Sequence, residues 1–176
     1  GCKEKSIVTI CGYFPFPVLS LDDPKGIAAV RDFFKNIYSA GNMVPVGKSV
    51  CSWYASWLSS SFSCIGDAKN AYDTAILSMS GVGLFKEPWE ILETGNNPWF
   101  VSSAGNFIYA FNNLLLHQNE KGEMKVAWAA PGSWKDFSFT LPAYGGGKVD
   151  VSVKDGKFSK LDYKSADGAQ KTIIFP

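Results

Sequence analysis

The spacing of apolar residues changes along the chain, from a helical period in the first two-thirds to alternation in the last third. After Asp22-Asp23-Pro24, apolar residues recur with the three-and-four spacing of one helix face, at Ile27, Val30, Phe34 and Ile37. An acidic cap followed by proline is typical of a helix start. The pattern therefore predicts a first helix that begins here and ends near Gly41.

Three more helical patterns follow. The second covers about residues 48–62 and carries a serine face made of Ser52, Ser56, Ser59, Ser60 and Ser63. Because small polar side chains allow close approach, we expect this helix to pack between neighbours. The third begins with Asp67 as its cap, and the fourth covers about residues 105–118. The connection over residues 81–103 is long for a compact domain, which is typical of a functional loop.

The period changes to two after Gly122. Strands are predicted at residues 124–129, 136–141, 148–153, 157–163 and 171–175, with hairpin turns at Asp155-Gly156 and Asp167-Gly168. Helices first and strands last predict an α+β protein rather than a parallel α/β sheet. We expect a helical hairpin region over residues 1–121 and a small antiparallel β domain over residues 122–176.

Composition and charge narrow the function classes. The 176 residues carry a net charge of +1, which provides no electrostatic basis for binding nucleic acid. The longest apolar runs fall short of the roughly 20 residues that a membrane helix needs. The four cysteines include no CxxC pair and His117 is the only histidine, so neither a metal site nor a cofactor is expected. Cys51 and Cys64 are too far apart along one helix to bridge, and are expected to be buried thiols unless a turn separates them.

Candidate catalytic groups are few. His117 is expected in the last turn of the fourth helix, where an imidazole helps to satisfy the helix end. Glu87, Glu90 and Glu93 recur every three residues, so a helical turn would place them on one face. Glycoside hydrolysis needs such a set, because one carboxyl acts as acid and another as base or nucleophile. The same spacing is common among solvated loop acids, and both interpretations stay open.

Aromatic residues make up 15% of the chain and include six tryptophans. An aromatic face packs well against the apolar face of a sugar ring, so some of these residues are candidates for a carbohydrate cleft. The predicted contact residues are Trp89, Trp99, Ser103 and Asn106. The alternatives are structural, since Trp99 could hold the loop against the fourth helix and Ser103 could cap that helix.

The amino terminus has two interpretations. Cys2 precedes the short charged segment Lys3-Glu4-Lys5. It is either an ordinary cysteine or the first mature residue of a bacterial lipoprotein, whose lipid anchor would be attached there. The second interpretation predicts a periplasmic or cell-surface protein.

Four segments together resemble the end of a six-hairpin glycosidase. They are residues 95–107 with the helix that follows, residues 122–131, residues 134–139, and the hairpin 146–156 that begins Gly146-Gly147-Lys148-Val149. The chain is similar here to glycoside hydrolase families 65 and 95 and to related Bacteroides-type proteins, over residues 12–164. In those families the last helices of an (α/α)6 toroid lead into a C-terminal β-sandwich. The resemblance therefore implies a partial toroid followed by a small antiparallel β-sandwich.

This chain departs from that family pattern in two ways. Only about four helices are predicted here, and the glutamate that serves those enzymes as general acid lies on helices that this chain lacks. Family 95 enzymes place an aspartate before a glycine-asparagine-phenylalanine triplet, whereas Ala104 precedes Gly105-Asn106-Phe107 here. The resemblance implies a carbohydrate-related protein that is not catalytically complete by itself.

A partial toroid would leave part of the helical region uncovered, and two other functions fit the same residues. A partial toroid would expose apolar helix residues such as Trp53, Trp57 and Phe62, which a second copy or a companion chain would have to cover. One alternative is a non-catalytic carbohydrate-binding or scaffolding lipoprotein that uses the aromatic loop. The other is a small intact hydrolase that uses Glu87, Glu90 or Glu93.

Overall fold

A computed structural model of the chain describes most of its second half and the helical core of its first half. The described residues are 10–12, 16, 23–35, 45–46, 49–50, 52–80, 90–92, 95–97, 101–118, 123–166, 168 and 172–176. In this part of the chain the fold is mixed α and β, with helices preceding most of the strands, as the sequence predicts.

The four described helices are α1 (Pro24–Phe33), α2 (Ser52–Cys64), α3 (Ala68–Ser80) and α4 (Val101–Leu115). The predicted start of α1 is confirmed, because the Asp23 carboxylate accepts hydrogen bonds from the backbone N–H groups of Lys25 and Gly26 at 3.1 and 3.2 Å. The predicted cap of α3 is confirmed as well, since Asp67 accepts from the backbone N–H of Asn70 at 3.2 Å. The predicted end of the first helix near Gly41 lies outside the described residues.

The described strands form short hairpins and two three-stranded sheets. They are β1 (Pro45–Val46), β2 (Ser49–Val50), β3 (Glu90–Leu92), β4 (Gly95–Asn97), β5 (Leu116–Gln118), β6 (Glu123–Val126), β7 (Phe137–Ala143), β8 (Gly147–Lys154), β9 (Lys157–Lys164) and β10 (Thr172–Ile174). The ladder of β1 and β2 occupies the place where the sequence predicts the start of the second helix, so α2 begins only at Ser52.

Helix α2 packs against both α3 and α4, which confirms the predicted position between neighbours. Four serines of its predicted serine face, Ser56, Ser59, Ser60 and Ser63, are buried, and the Ser59 hydroxyl donates a hydrogen bond to the Ala71 carbonyl on α3 at 2.7 Å. Trp57 and Phe62 are only 5% and 1% exposed, and the ring of Phe62 meets Phe34 edge-on at 4.9 Å. The expected exposure of these two side chains is therefore wrong, because α1, α3 and α4 already cover α2.

The sheet formed by β7, β8 and β9 is antiparallel throughout, as predicted. Val149, Val151 and Val153 all point into its core, and the predicted Asp155-Gly156 turn has positive φ angles of 51° and 73°. In the other sheet β5 pairs antiparallel with β6, whereas β10 runs parallel to β6. Both sheets contribute side chains to one apolar cluster.

Helix α4 ends earlier than the sequence predicts, because backbone donors from beyond β6 bind its last carbonyls. The N–H groups of Ala127 and Ala129 donate to the carbonyls of Leu115 and Leu114, at 2.6 and 3.1 Å. Ala127 adopts a left-handed φ of 53° to make this return. The predicted helical position of His117 is therefore wrong, since this residue lies in β5.

The two regions predicted from the sequence share residues in their cores. Leu116, from the helical side of the predicted boundary, is buried in the sheet cluster, whereas Ala129, from the β side, is buried in the helical cluster. The division at residues 121 and 122 stays a prediction.

Candidate functional site

Residues 127–136, here called the junction segment, connect β6 to β7 and lie between the helices and the sheets. The indole of Trp134 lies at the centre of an aromatic group. Its ring centroid is 5.6 Å from that of Tyr72 on α3, 6.5 Å from that of Phe111 on α4 and 5.8 Å from that of Phe137 on β7. Aromatic pairs at such separations add about 0.5–1.5 kcal/mol each beyond area burial. Trp134 therefore holds the two layers together.

Trp128 makes a second connection between the layers. Gly66, in the turn between α2 and α3, has a φ of 73°, and a Cβ atom there would lie 2.8 Å from Nε1 of Trp128. Trp128 also makes a cation–π interaction with β6, because Nζ of Lys125 lies 4.3 Å from the centroid of its indole. A glycine is therefore required where the helical turn meets this ring.

A crevice of about 200 Å³ opens where the junction segment meets the turn between β8 and β9. Its described lining consists of Ala127, Ala130, Pro131, Gly132, Trp134, Lys135, Phe137, Val153, Gly156, Phe158 and Pro176. Three of these are aromatic, and Phe158 is exposed. We call this feature the junction crevice.

Two hydrogen bonds hold the walls of the junction crevice in place. The N–H of Gly156 donates to the Lys135 carbonyl at 2.8 Å, and the N–H of Asp155 donates to Oδ1 of Asp136 at 2.9 Å. The hairpin turn is thereby attached to the junction segment, which carries Trp134. A ligand would meet a preformed surface, so little conformational entropy would be lost on binding.

The described side chains that line the junction crevice include one charged group and no acidic pair. Among the described residues that line it, Lys135 has the only charged side chain, and none is an aspartate or a glutamate. Glycoside hydrolysis needs two carboxyl groups about 5–9.5 Å apart, one on each side of the bond. The described lining can accept the apolar face of a ring but supplies no acid and base for cleaving it.

Cys64 and His117 form a second candidate site, because a thiol beside an imidazole can act as a nucleophile with its base. Sγ of Cys64 lies 3.9 Å from Nδ1 of His117, and both side chains are buried. Burial raises the pKa of the Cys64 thiol to about 12. Burial also lowers the pKa of His117 to about 4, reinforced by the positive charge of Lys125. A reactive cysteine needs a thiolate, so this buried pair is a packing contact and not a nucleophile with its base.

The predicted acidic residues are only partly described. Glu87 and Glu93 lie outside the described residues, whereas Glu90 begins β3 and pairs with Asn97 of β4. The backbone at residues 90–92 is thus extended. The helical turn that would bring the three glutamates to one face is not formed there.

The predicted sugar-contact residues divide in the same way. Trp89 and Trp99 lie outside the described residues. Ser103 and Asn106 are on α4, where Ser103 is buried with 2% exposure and Asn106 is half-buried. Nδ2 of Asn106 is buried and has no hydrogen-bond partner among the described residues. Ser103 offers no surface to a ligand in this arrangement, and a contact of the four residues with sugar stays a prediction.

Lys135, Phe137 and Phe158 line the crevice but are not among the site residues predicted from the sequence. Two signals were present, namely the pair of aromatic residues around Lys135-Asp136 and an aromatic residue two positions after the Asp155-Gly156 turn. A tight turn brings such a residue back beside the preceding strand, but which loop it then faces depends on how the sheets pack.

No group of three histidine, cysteine, aspartate or glutamate side chains among the described residues could hold a metal ion. None of the described helices has the length and apolar character needed to cross a membrane. Neither a protein-family model nor a curated protein matches the chain.

Proposed function

We propose that this chain is a carbohydrate-binding protein that resembles the C-terminal portion of a six-hairpin glycosidase and does not hydrolyse sugar by itself. The junction crevice is the observation that carries the proposal. Three aromatic residues line it, and no described residue in its lining has an acidic side chain. An aromatic wall without an acid pair is suited to holding a sugar ring.

The order of the elements supports the family part of the proposal. Helices α2, α3 and α4 are neighbours, and two three-stranded sheets with a common apolar cluster follow. The last helical hairpins of an (α/α) toroid, followed by a β-sandwich, would present the same order. We therefore include a partial (α/α) toroid and a small β-sandwich in the proposal.

The proposed partner contact rests on exposed apolar side chains of α3 and α4. Met79 on α3 is 52% exposed and Ile108 on α4 is 61% exposed. Large apolar side chains on adjacent helices favour a contact with another chain, either a second copy or a companion that supplies further helices. Sedimentation velocity of the wild type and of Ile108→Lys tests the second-copy form, in which only the wild type should associate as concentration rises.

The location of the protein is proposed from Cys2, which lies outside the described residues. A lipid on this cysteine would place the protein in the periplasm or at the cell surface. Expression behind a bacterial lipoprotein signal, followed by intact-mass measurement, tests this. The wild type should gain the mass of the lipid and Cys2→Ser should not.

Saturation-transfer NMR with a panel of monosaccharides and oligosaccharides tests the binding function. We expect binding in the millimolar to micromolar range and no product after a day. Phe158→Ala should weaken binding about three- to tenfold, since an aromatic contact contributes about 0.5–1.5 kcal/mol. Tyr144→Ala is the matched control, because Tyr144 is another exposed aromatic residue but does not line the junction crevice.

Each part of the proposal can fail separately. Appearance of product would contradict the absence of hydrolysis, and a loss of turnover in Glu90→Gln would then return attention to the acidic loop. Failure of every sugar to bind would contradict the carbohydrate function. Equal weakening by Phe158→Ala and Tyr144→Ala would move the binding surface away from the junction crevice.

A further inference from the structure

The junction crevice carries a charge as well as aromatic rings. Lys135 is exposed and lines it, and Nζ of this lysine lies 3.8 Å from the point where a Cβ atom on Gly156 would stand. The ammonium group thus lies across the turn between β8 and β9. A glycine at this turn leaves room for it.

Two hydrogen bonds hold the backbone from which the Lys135 side chain extends. The Lys135 carbonyl accepts a hydrogen bond from the N–H of Gly156 at 2.8 Å, and the next residue, Asp136, accepts from the N–H of Asp155 at 2.9 Å. Neither aspartate is among the residues that line the crevice. The backbone at Lys135 is therefore held at the wall, and no described residue of the lining has an acidic side chain.

The volume limits the size of a ligand. Pockets for drug-sized ligands measure about 300–1,000 Å³, whereas the junction crevice measures about 200 Å³. A space of this size suits a single ring rather than a long oligosaccharide segment. One ring with an apolar face and one anionic group would use both the aromatic wall and the lysine.

Resting on the proposed carbohydrate function, we infer that the junction crevice binds a sugar that carries a carboxylate, that is, a uronic acid residue. The ring lies against the aromatic wall formed by Trp134, Phe137 and Phe158. The carboxylate accepts a charge-assisted hydrogen bond from Nζ of Lys135.

Isothermal titration with glucuronic acid and with glucose, at low and at high salt, tests this inference. We expect glucuronic acid to bind about 1.5- to fivefold more tightly than glucose, which is the range for an ion pair close to solvent. High salt should reduce that preference. Lys135→Gln should abolish it, while Lys135→Arg should retain most of it. Lys148→Gln is the matched control, because Lys148 is an exposed lysine that does not line the crevice.

The outcomes separate this inference from the proposed function. Equal binding of both sugars, unaffected by Lys135→Gln, would overturn the preference for uronic acid and leave the carbohydrate function standing. Absence of binding by either sugar would overturn both. Acetate competing as strongly as glucuronic acid would show that Lys135 attracts any anion, which would also overturn the inference.

Discussion

Sγ of Cys64 at the end of α2 lies 3.9 Å from Nδ1 of His117 in β5, so this buried contact links the helices to the mixed sheet. The two residues are 53 positions apart in sequence. Because burial disfavours the charged form of each, the thiol and the imidazole are both neutral at pH 7. The only histidine of the chain thereby reports on the integrity of this packing.

The first prediction concerns pH. The pKa of His117 falls from 6.5 to about 4 on folding, so between these values the unfolded chain binds a proton that the native chain does not. Stability conferred by the neutral imidazole is therefore fully present above pH 6.5 and is lost as pH falls towards 4. The loss amounts to about 3 kcal/mol, and urea unfolding at a series of pH values measures it.

His117→Gln is the control for this pH dependence, since glutamine does not titrate. The stability of the variant should fall less steeply between pH 6.5 and 4 even if it is lower overall. The hydrogen bond with Lys160 lowers the pKa of Asp150 from its usual value of 3.8. The resulting change in stability falls mainly below pH 3.8 and so outside the range from pH 6.5 to 4. Equal slopes in the two proteins would contradict the prediction.

A second prediction concerns thiol reactivity. Burial raises the pKa of Cys64 to about 12, so almost none of it is thiolate at pH 8. Iodoacetamide should leave Cys64 unmodified in the native protein and modify it in urea, as peptide mass spectrometry would show. Cys11 is half-buried and serves as the internal comparison. Modification of Cys64 at the rate of Cys11 under native conditions would show that the contact with His117 opens readily.

The third prediction concerns the turn beneath Trp128. Gly66→Ala places a Cβ atom 2.8 Å from Nε1 of Trp128 at a φ of 73°. Left-handed backbone costs about 1–2 kcal/mol for a residue with a Cβ, and the clash adds a similar amount, so we expect a loss of about 2–4 kcal/mol. Gly105→Ala in α4 is the matched control, because a Cβ there meets nothing within 4 Å. That substitution should stabilise the protein by about 0.5–1 kcal/mol, and thermal unfolding compares the two variants.

A fourth prediction concerns the amide of Gln118, which connects β5 to the far end of β7. Its Nε2 donates to the Pro142 carbonyl at 3.1 Å, and its Oε1 accepts from the N–H of Tyr144 at 2.7 Å. Gln118→Ala should lower the free energy of unfolding by about 1 kcal/mol, because these bonds are close to solvent. Gln118→Glu should cost at least as much, since a carboxylate would face the Pro142 carbonyl. Urea unfolding distinguishes these outcomes, and an unchanged midpoint in both variants would show that the sheets do not depend on this link.

Local signals were enough to predict the elements whose ends are set by nearby residues. Asp23 and Asp67 cap the helices that follow them within three residues. The valines of β8 alternate inward, and the Asp155-Gly156 turn joins β8 to β9. In each case the decisive interaction lies within one turn or one hairpin, so it can be read from neighbouring positions.

Elements that depend on distant residues could not be predicted in this way. The early end of α4 requires donors from Ala127 and Ala129, and the parallel pairing of β10 with β6 joins segments about 50 residues apart. The junction crevice likewise combines Trp134, Phe137 and Phe158 from separate elements. The α+β order, the caps and the alternating strands are therefore predictable from the amino-acid sequence, because they rest on local hydrogen bonds and periodicity. The environment of His117 and the composition of the crevice depend on packing between layers, which brings together residues that are distant in the chain.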